Sequence, residues 1–191
     1  MSFPILSFII FLPVAAAVFL IFVPKEKEDL LRYISLGIAI VTFLFSLSLY
    51  FNFNEQTADP QFVEKRAWLG YGIKYHLGID GISLFLVLLT TFLMPIAILS
   101  SWRYIHRHVK EYLIFMLLLE AGIIGVFVSL NLFLFYVFWE AMLIPMYFLI
   151  GIWGGARRIY ATLKFVLFTM LGSLLMLVAI FFLYSIYYKA M

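Results

Sequence analysis

The sequence predicts an all-α integral membrane protein with about six transmembrane helices. Of its 191 residues, 66% are hydrophobic and only 12% are charged, whereas roughly a quarter of residues are charged in a typical soluble domain. The apolar residues form six runs, and each is long enough or nearly long enough to supply the roughly 20 residues that a helix needs to cross a bilayer. A soluble fold of this length could not bury so much apolar surface.

The six runs are separated by charged or turn-forming residues. Because no Lys or Arg precedes the first run, we predict a retained helix there and not a signal peptide. The fourth and fifth runs are together too long for one crossing, so Ser129-Leu130-Asn131 predicts a tight hairpin between them. The sixth run exceeds a bilayer's thickness and must tilt, kink or protrude. The runs are Phe3–Val23, Leu31–Phe51, Ile82–Trp102, Tyr112–Ser129, Leu132–Trp153 and Tyr160–Tyr188.

The main segment outside these runs, residues 52–81, carries scattered charges. Tyr71, Ile73 and Tyr75 alternate in it beside two glycines. This alternation favours a short strand or hairpin lying at the membrane surface. An irregular loop explains the same residues equally well.

The Lys and Arg residues of the loops predict the orientation, because basic loops face the cytoplasm. Eight lie on one side of the membrane and four on the side of the termini and the 52–81 loop. We therefore predict a multi-pass protein of the cell inner (plasma) membrane with both termini extracytoplasmic. The eight are Lys25, Lys27, Arg32, Arg103, Arg107, Lys110, Arg157 and Arg158.

Composition excludes several functions. The absence of cysteine removes thiolate zinc sites and cysteine-ligated iron–sulfur clusters. The formal charge of +3 is too small and too dispersed to suggest nucleic-acid binding. Phosphate-binding glycine loops, dinucleotide fingerprints and a haem ligand pair are also missing from the sequence. We therefore predict no cofactor, no metal and no redox centre in this chain, and the lipid bilayer as its surroundings.

Glu140 is the strongest candidate for function. It lies in the middle of the fifth run, too deep for its side chain to reach water, and a charge in hydrocarbon costs about 2.5–3.5 kcal/mol by insertion scales. Pro145 follows it and deprives the Ala141 carbonyl of its helical hydrogen bond. A freed carbonyl and a bend beside a carboxyl make a place where water could enter. The alternative is a protonated glutamic acid that only serves helix packing.

Glu120 and Lys164 are two further candidates for proton transfer. Glu120 lies in the fourth run at a depth similar to that of Glu140, so the two carboxyls could be neighbours that do not both ionise easily. A helix-packing hydrogen bond explains Glu120 almost as well. Lys164, six residues after Arg158 and therefore roughly 9 Å deep, either reaches inward towards Glu140 or snorkels to the membrane surface, and snorkelling is favoured.

Asp80 precedes the third run, where a carboxylate can cap the N–H groups of a helix start. We favour this capping role over a functional one. From the residues alone, mid-membrane carboxyls, a proline-interrupted helix and a lysine on the next helix indicate a transporter or part of a proton pump.

Three segments resemble one known family. The segment from Asn131 to Gly151, which contains Phe138-Trp139-Glu140-Ala141-Met142, closely resembles the fifth helix of chain M (subunit 4) of proton-translocating NADH:quinone oxidoreductase, respiratory complex I. Leu77–Leu84 and Arg157–Phe165 look like the same family.

The resemblance implies an antiporter-like fold of about fourteen helices with two inverted five-helix repeats. Residues 1–110 would supply three N-terminal helices, with the extracytoplasmic loop at 52–81, and residues 111–191 the first three helices of the first repeat. The chain would then be an N-terminal fragment of that fold. Glu140 matches the family's fifth-helix glutamate, whose partner lysine lies on a seventh helix that this sequence does not include.

The resemblance also implies the partners. The chain would join the other membrane-arm subunits of complex I, in which flavin, iron–sulfur clusters and quinone are expected to bind. Two alternatives stay open: a subunit of a multi-subunit cation/proton antiporter or membrane-bound hydrogenase, and a structural membrane remnant without transport.

Overall fold

The computed structural model describes residues 4–70 and 73–190, of which 69, 70, 73 and 187–190 are described by their backbone only. Within these residues, six helices are long and apolar enough to cross a membrane, which confirms the predicted fold class. A two-stranded antiparallel hairpin lies between the second and third helices. The elements are α1 (Ile5–Phe22), α2 (Glu28–Phe51), β1 (Gln61–Gly70), β2 (Ile73–Ile79), α3 (Gly81–Ser101), α4 (Val109–Val128), α5 (Leu132–Trp153) and α6 (Arg158–Ala190).

The helices begin and end close to the predicted positions, and α5 has the predicted bounds. The largest differences are at the starts of α2 and α4, which begin three residues earlier than the apolar runs. Each added turn contains acidic residues, Glu28 and Asp29 in α2 and Glu111 in α4. The partial positive charge of a helix N-terminus stabilises such residues, whereas a search for apolar runs excludes them.

The 52–81 segment contains a β-hairpin, as the alternation in its second half indicated. The alternative of an irregular loop is therefore wrong. β2 pairs with β1 from Gln61↔Ile79 to Gly70↔Ile73. Tyr71 and Gly72 lie outside the described residues. The hairpin packs onto the α4–α5 turn, because the Leu130 N–H donates to the His76 carbonyl at 2.9 Å.

The predicted helix breaks have clear local causes. Asn131 ends the α4–α5 turn and caps α5, accepting hydrogen bonds from the N–H groups of Phe133 and Leu134 at 3.0 and 3.2 Å. At the other end of α5, a Cβ at Gly154 would run into the Ile150 carbonyl oxygen, so only glycine fits there. The predicted tight hairpin is therefore confirmed, and Gly154 accounts for the end of α5.

Helices α1 to α4 enclose two apolar clusters, one at each end of the bundle. The hairpin-end cluster consists of Leu6, Ile9, Ile10, Leu49, Leu77, Ile79, Leu84, Val87, Ile124, Val128 and Leu134. The opposite-end cluster consists of Ala16, Ala17, Leu20, Val23, Leu31, Ala39, Met94, Ile98, Val109, Leu113, Met116 and Leu117. Among the described residues, α6 packs against α5 alone and leaves most of its surface exposed.

Candidate functional site

Two glycines of α4 determine how it faces α5, the helix that carries Glu140. A Cβ at Gly122 would stand 2.8 Å from Met142 Cβ and 3.2 Å from its Cα. A Cβ at Gly125 would run into the ring of Phe138. Because neither glycine has a side chain, the two antiparallel helices approach closely along this line.

These contacts place the two glutamates on opposite sides of the α4–α5 pair. At about 100° per residue, Glu120 lies roughly 170° around α4 from the mean direction of Gly122 and Gly125. Glu140 lies two residues from both Phe138 and Met142, so it points roughly 180° away from α4. The expectation that the two carboxyls are neighbours is therefore wrong. Their helices are neighbours, and their side chains point apart.

Glu140 lies on the face of α5 that meets α6. It is about 12 Å from Leu132 and about 20 Å from Trp153 along the helix axis. The Tyr136 hydroxyl, one turn earlier, interacts with both the Glu140 carboxyl and the Ser173 hydroxyl of α6. Glu140 Oε1 is buried and has no hydrogen-bond partner among the described residues. The carboxyl thus has one hydroxyl neighbour and one oxygen still free to accept.

The α6 surface beside Glu140 carries hydroxyl groups at helical spacing. Thr162 and Ser173 are both 4% exposed, and Thr169 lies between them on the same stripe. Gly151, on the Glu140 face of α5, packs against Thr162, where a Cβ would lie 3.5 Å from Oγ1. The Glu140 face is therefore lined by hydroxyl groups of the next helix.

Lys164 does not join this site. It lies about 200° around α6 from Thr162, on the exposed side of the helix. There it lines a surface cavity with Arg157, Tyr160 and Phe168, and its Nζ lies 5.9 Å from the Tyr160 ring centroid. Of the two predicted orientations, the inward one towards Glu140 is not the one in this structure.

Glu120 is enclosed by α1 to α3. Its residue exposure is 0%, and neither carboxyl oxygen has a hydrogen-bond partner among the described residues. It belongs to the inward stripe of α4 that also holds Leu113, Leu117 and Ile124. The structure therefore offers no helix-packing hydrogen bond to explain this glutamate within the described residues.

Asp80 caps α3 as predicted. Its carboxylate accepts hydrogen bonds from Ile82 N at 3.1 Å and Ser83 N at 2.7 Å, and the Ser83 side chain completes a capping box. The backbone hydrogen bond from Ser83 is the largest cause that holds the pKa of Asp80 below its usual value. These contacts account for the residue without a catalytic role.

Three charged residues join distant parts of the chain through contacts that the sequence analysis did not predict. Arg32 is 8% exposed, and its guanidinium donates to the carbonyls of Trp102 and Ile105 at 2.7 and 2.8 Å. Lys110 donates to the last carbonyls of α1, and Glu64 of β1 accepts from the first N–H groups of α1. Their partners are 57 to 89 residues away in the chain, so no local pattern predicts them.

No set of potential metal ligands comes together in the part of the chain that the structure describes. In that part, no group of three or more His, Asp or Glu side chains is placed to hold a metal ion. What the described site can do chemically is hold and pass a proton, through Glu140, Tyr136 and the hydroxyls of α6.

Comparison with known families divides the chain into two matched segments. Residues 5–125 match the family model described as NADH-ubiquinone oxidoreductase chain 4, amino terminus. Residues 129–188 match a second model, described as NADH:quinone oxidoreductase/Mrp antiporter, TM. Together the two models take in all six helices almost completely.

Several relatives are similar along most of this chain. NADH-quinone oxidoreductase subunit M of Rhodobacter capsulatus is 52% identical over 179 residues, which are 92% of this chain and 35% of that protein. NADH-ubiquinone oxidoreductase chain 4 of Arabidopsis thaliana is 50% identical over 177 residues, 92% of this chain and 36% of that protein. The chain thus spans about a third of the length of the relatives it matches.

Two solved structures share the arrangement of helices. A chain of the membrane-bound sulfane sulfur reductase, an archaeal respiratory membrane complex, matches 95% of this chain with a TM-score of 0.76 and 19% identity, over 28% of its own length. A chain of the Mrp complex from Dietzia sp. DQ12-45-1b matches 91% of it with a TM-score of 0.74 and 20% identity, over 19% of its own length. At these identities the likeness concerns the fold.

Proposed function

This chain belongs to the NADH-ubiquinone oxidoreductase chain 4 family, and from that membership we propose that it acts as part of a membrane-arm subunit of proton-translocating NADH:quinone oxidoreductase. In this proposal the subunit takes part in proton translocation coupled to electron transport. Its partners are the other membrane-arm subunits and the lipid bilayer. Flavin, iron–sulfur clusters and quinone bind to partner subunits.

The observation that carries the proposal is the position of Glu140. Its carboxyl lies near the middle of α5, with Oε1 buried and unpartnered among the described residues and Tyr136 beside it. Ionisable groups at this depth are costly and mark ion or proton pathways. Glu140 therefore takes up and releases the translocated proton in our proposal.

Glu120 and Lys164 complete the proposed set of proton-transfer residues, with changed roles. Because each points away from Glu140, neither exchanges a proton with it directly. Lys164 shares the exposed face of α6 with Arg157, so it is assigned to transfer with groups on the side of α6 that faces away from α5. Glu120 acts inside the N-terminal bundle.

The orientation follows from the loop charges. The basic turns after α1, α3 and α5 face the cytoplasm in our proposal, because positively charged loops are retained there. The β-hairpin and both termini are then extracytoplasmic, in the cell inner (plasma) membrane.

The direct test replaces Glu140 by Gln in the full-length subunit within the assembled complex. We expect Glu140→Gln to leave assembly intact and to lower proton translocation at least tenfold, because the amide cannot carry the proton. The matched control is Glu111→Gln, which alters an exposed glutamate at the start of α4. Full translocation in the Glu140→Gln complex would refute the role of Glu140.

A second candidate function is a subunit of a multi-subunit cation/proton antiporter. The family model that matches residues 129–188 favours it, because its description names the Mrp antiporter beside NADH:quinone oxidoreductase. Affinity purification of the tagged full-length protein separates the two. We expect the partner subunits to include those that bind flavin and iron–sulfur clusters, whereas an antiporter would be purified without them.

A further inference from the structure

The bundle of α1 to α4 contains a polar layer midway between its two apolar clusters. Thr42 and Ser46 lie on α2 between Ala39 of one cluster and Leu49 of the other. Thr91 takes the corresponding place on α3, and Glu120 on α4. All four polar residues are 0% exposed. The layer, defined as Thr42, Ser46, Thr91 and Glu120, therefore lies in the centre of the bundle.

The hydroxyl groups of this layer donate fewer hydrogen bonds than their surroundings can accept. Ser46 Oγ and Thr91 Oγ1 lie 2.7 Å apart, so one of them donates to the other. Ser46 Oγ also lies 2.7 Å from the Phe43 carbonyl, and Thr91 Oγ1 lies 3.1 Å from both the Val87 and the Leu88 carbonyls. Each hydroxyl has one proton and two lone pairs. Two protons thus serve four contacts, and lone pairs remain without donors.

Two prolines and the carboxyl increase the excess of acceptors. Pro95 cannot donate to the carbonyl four residues earlier, which belongs to Thr91 of the layer. Pro13 in α1 likewise leaves the Ile9 carbonyl without its helical donor. Neither oxygen of Glu120 has a partner among the described residues. Even a protonated carboxyl would add only one donor to this set.

Water supplies the donors that such a site lacks. A buried water typically makes about three hydrogen bonds to polar groups that would otherwise be unsatisfied. An isolated carboxylate charge in this layer would cost far more than a neutral acid. We propose that the polar layer binds ordered water between the carboxylic acid of Glu120 and the Ser46–Thr91 pair.

This water site is separate from Glu140, because Glu120 points away from α5. The inference therefore goes beyond the proposed function and does not depend on it. It assigns ordered water as the ligand of Glu120, at a site within the bundle of α1 to α4.

Infrared difference spectroscopy of the full-length protein in membranes tests the proposal. The C=O stretching band that Glu120→Gln removes belongs to the Glu120 acid. We expect this band at the frequency of a hydrogen-bonded acid and shifted further down after transfer to D2O. The Ser46→Ala, Thr91→Val double variant should move it to higher frequency. Ser48→Ala, on the exposed side of α2, should leave it unchanged.

Three results would overturn the proposal. They are the absence of any Glu120-dependent acid band, a band at the frequency of a free acid, and a band that the double variant does not move. If Glu120→Gln fails to fold, a high-resolution density map of the unmodified complex decides instead. Density for water within hydrogen-bonding distance of the Glu120 carboxyl and Ser46 or Thr91 supports the site, and direct packing without it refutes the site. Translocation by Glu140 is not measured in either experiment, so the two proposals fail independently.

Discussion

Gly122 of α4 and Met142 of α5 touch so closely that a Cβ at position 122 would stand 2.8 Å from the Cβ of Met142. The Met142 backbone is also near, with its Cα at 3.2 Å. A methyl group at this position cannot be accommodated by turning a side chain, so the helices must separate. This contact gives α5 its orientation, and with it the direction of Glu140.

We therefore expect Gly122→Ala to lower the free energy of unfolding by about 1–3 kcal/mol, as overpacking does in well-packed cores. Thermal unfolding of the purified full-length protein measures the effect. Gly37→Ala on α2 is the matched control, because nothing lies within 4 Å of its added Cβ. Equal melting temperatures for both variants would contradict the close α4–α5 contact.

Tyr136→Phe removes the hydroxyl that interacts with both Glu140 and Ser173. We expect the assembled complex to keep its subunits and its quinone reduction, while fewer protons are translocated for each NADH oxidised. Combined with Glu140→Gln, the variant should cause no further loss, because the two groups act as one unit. Tyr147→Phe, on the more exposed part of α5, is the control. Additive losses in the double variant would count against this relay.

Glu64→Gln weakens the contact between the hairpin and α1. Glu64 accepts hydrogen bonds from Leu6 N at 2.8 Å and from the backbone and hydroxyl of Ser7. A negative charge at a helix N-terminus contributes about 0.3–1 kcal/mol, so we expect a loss of that size in unfolding free energy. The measurement is thermal unfolding, with the exposed Glu55→Gln as control. A stability unchanged by Glu64→Gln would show that the charge is unimportant there.

Asp80 makes stability depend on pH in the acidic range. Its pKa is lowered in the folded protein from a reference value of 3.8, so its stabilising contribution is complete above that value. The contribution is lost as the pH falls through the lowered folded-state pKa. Asp80→Asn keeps a capping side chain but cannot titrate. We expect a smaller loss of thermal stability between pH 5 and pH 3 than in the unmodified protein, and parallel pH curves would argue against it.

The helices could be predicted because their signal is local and strong. Twenty apolar residues in a row have few alternatives in a membrane protein, and the turn before Asn131 and the break at Gly154 each depend on neighbouring residues. Only the second strand of the β-hairpin could be predicted from its own residues. Its second strand alternates visibly, whereas β1 contains Glu64, Lys65 and Arg66 and looks like a polar loop until its partner is known.

The site was predicted less completely. The position of a residue along a helix, and so its depth in the membrane, can be counted from the sequence, whereas the neighbour towards which its side chain points depends on how the helices pack. Glu120 and Glu140 were correctly placed in neighbouring helices. Which way each points depends on the α4–α5 contact line, and the signal for that line was the small-residue pair Gly122 and Gly125. The helical spacing of the α6 hydroxyl residues was a similar signal, because it indicates a face of α6 towards α5 on which Lys164 does not lie.

Helix α1 is restrained lengthwise at both of its ends. Glu64 holds its first N–H groups, and Lys110, donating to the Ile21 and Val23 carbonyls at 2.6 and 2.8 Å, holds its last carbonyls. Helix α1 therefore cannot shift along its axis or rotate about it without breaking the hydrogen bonds at one end. Inserting one residue near Pro13 would rotate half of α1 by about 100°. The helix could then keep the hydrogen bonds at only one of its two ends. The number of residues in α1 is therefore constrained by these two sets of contacts.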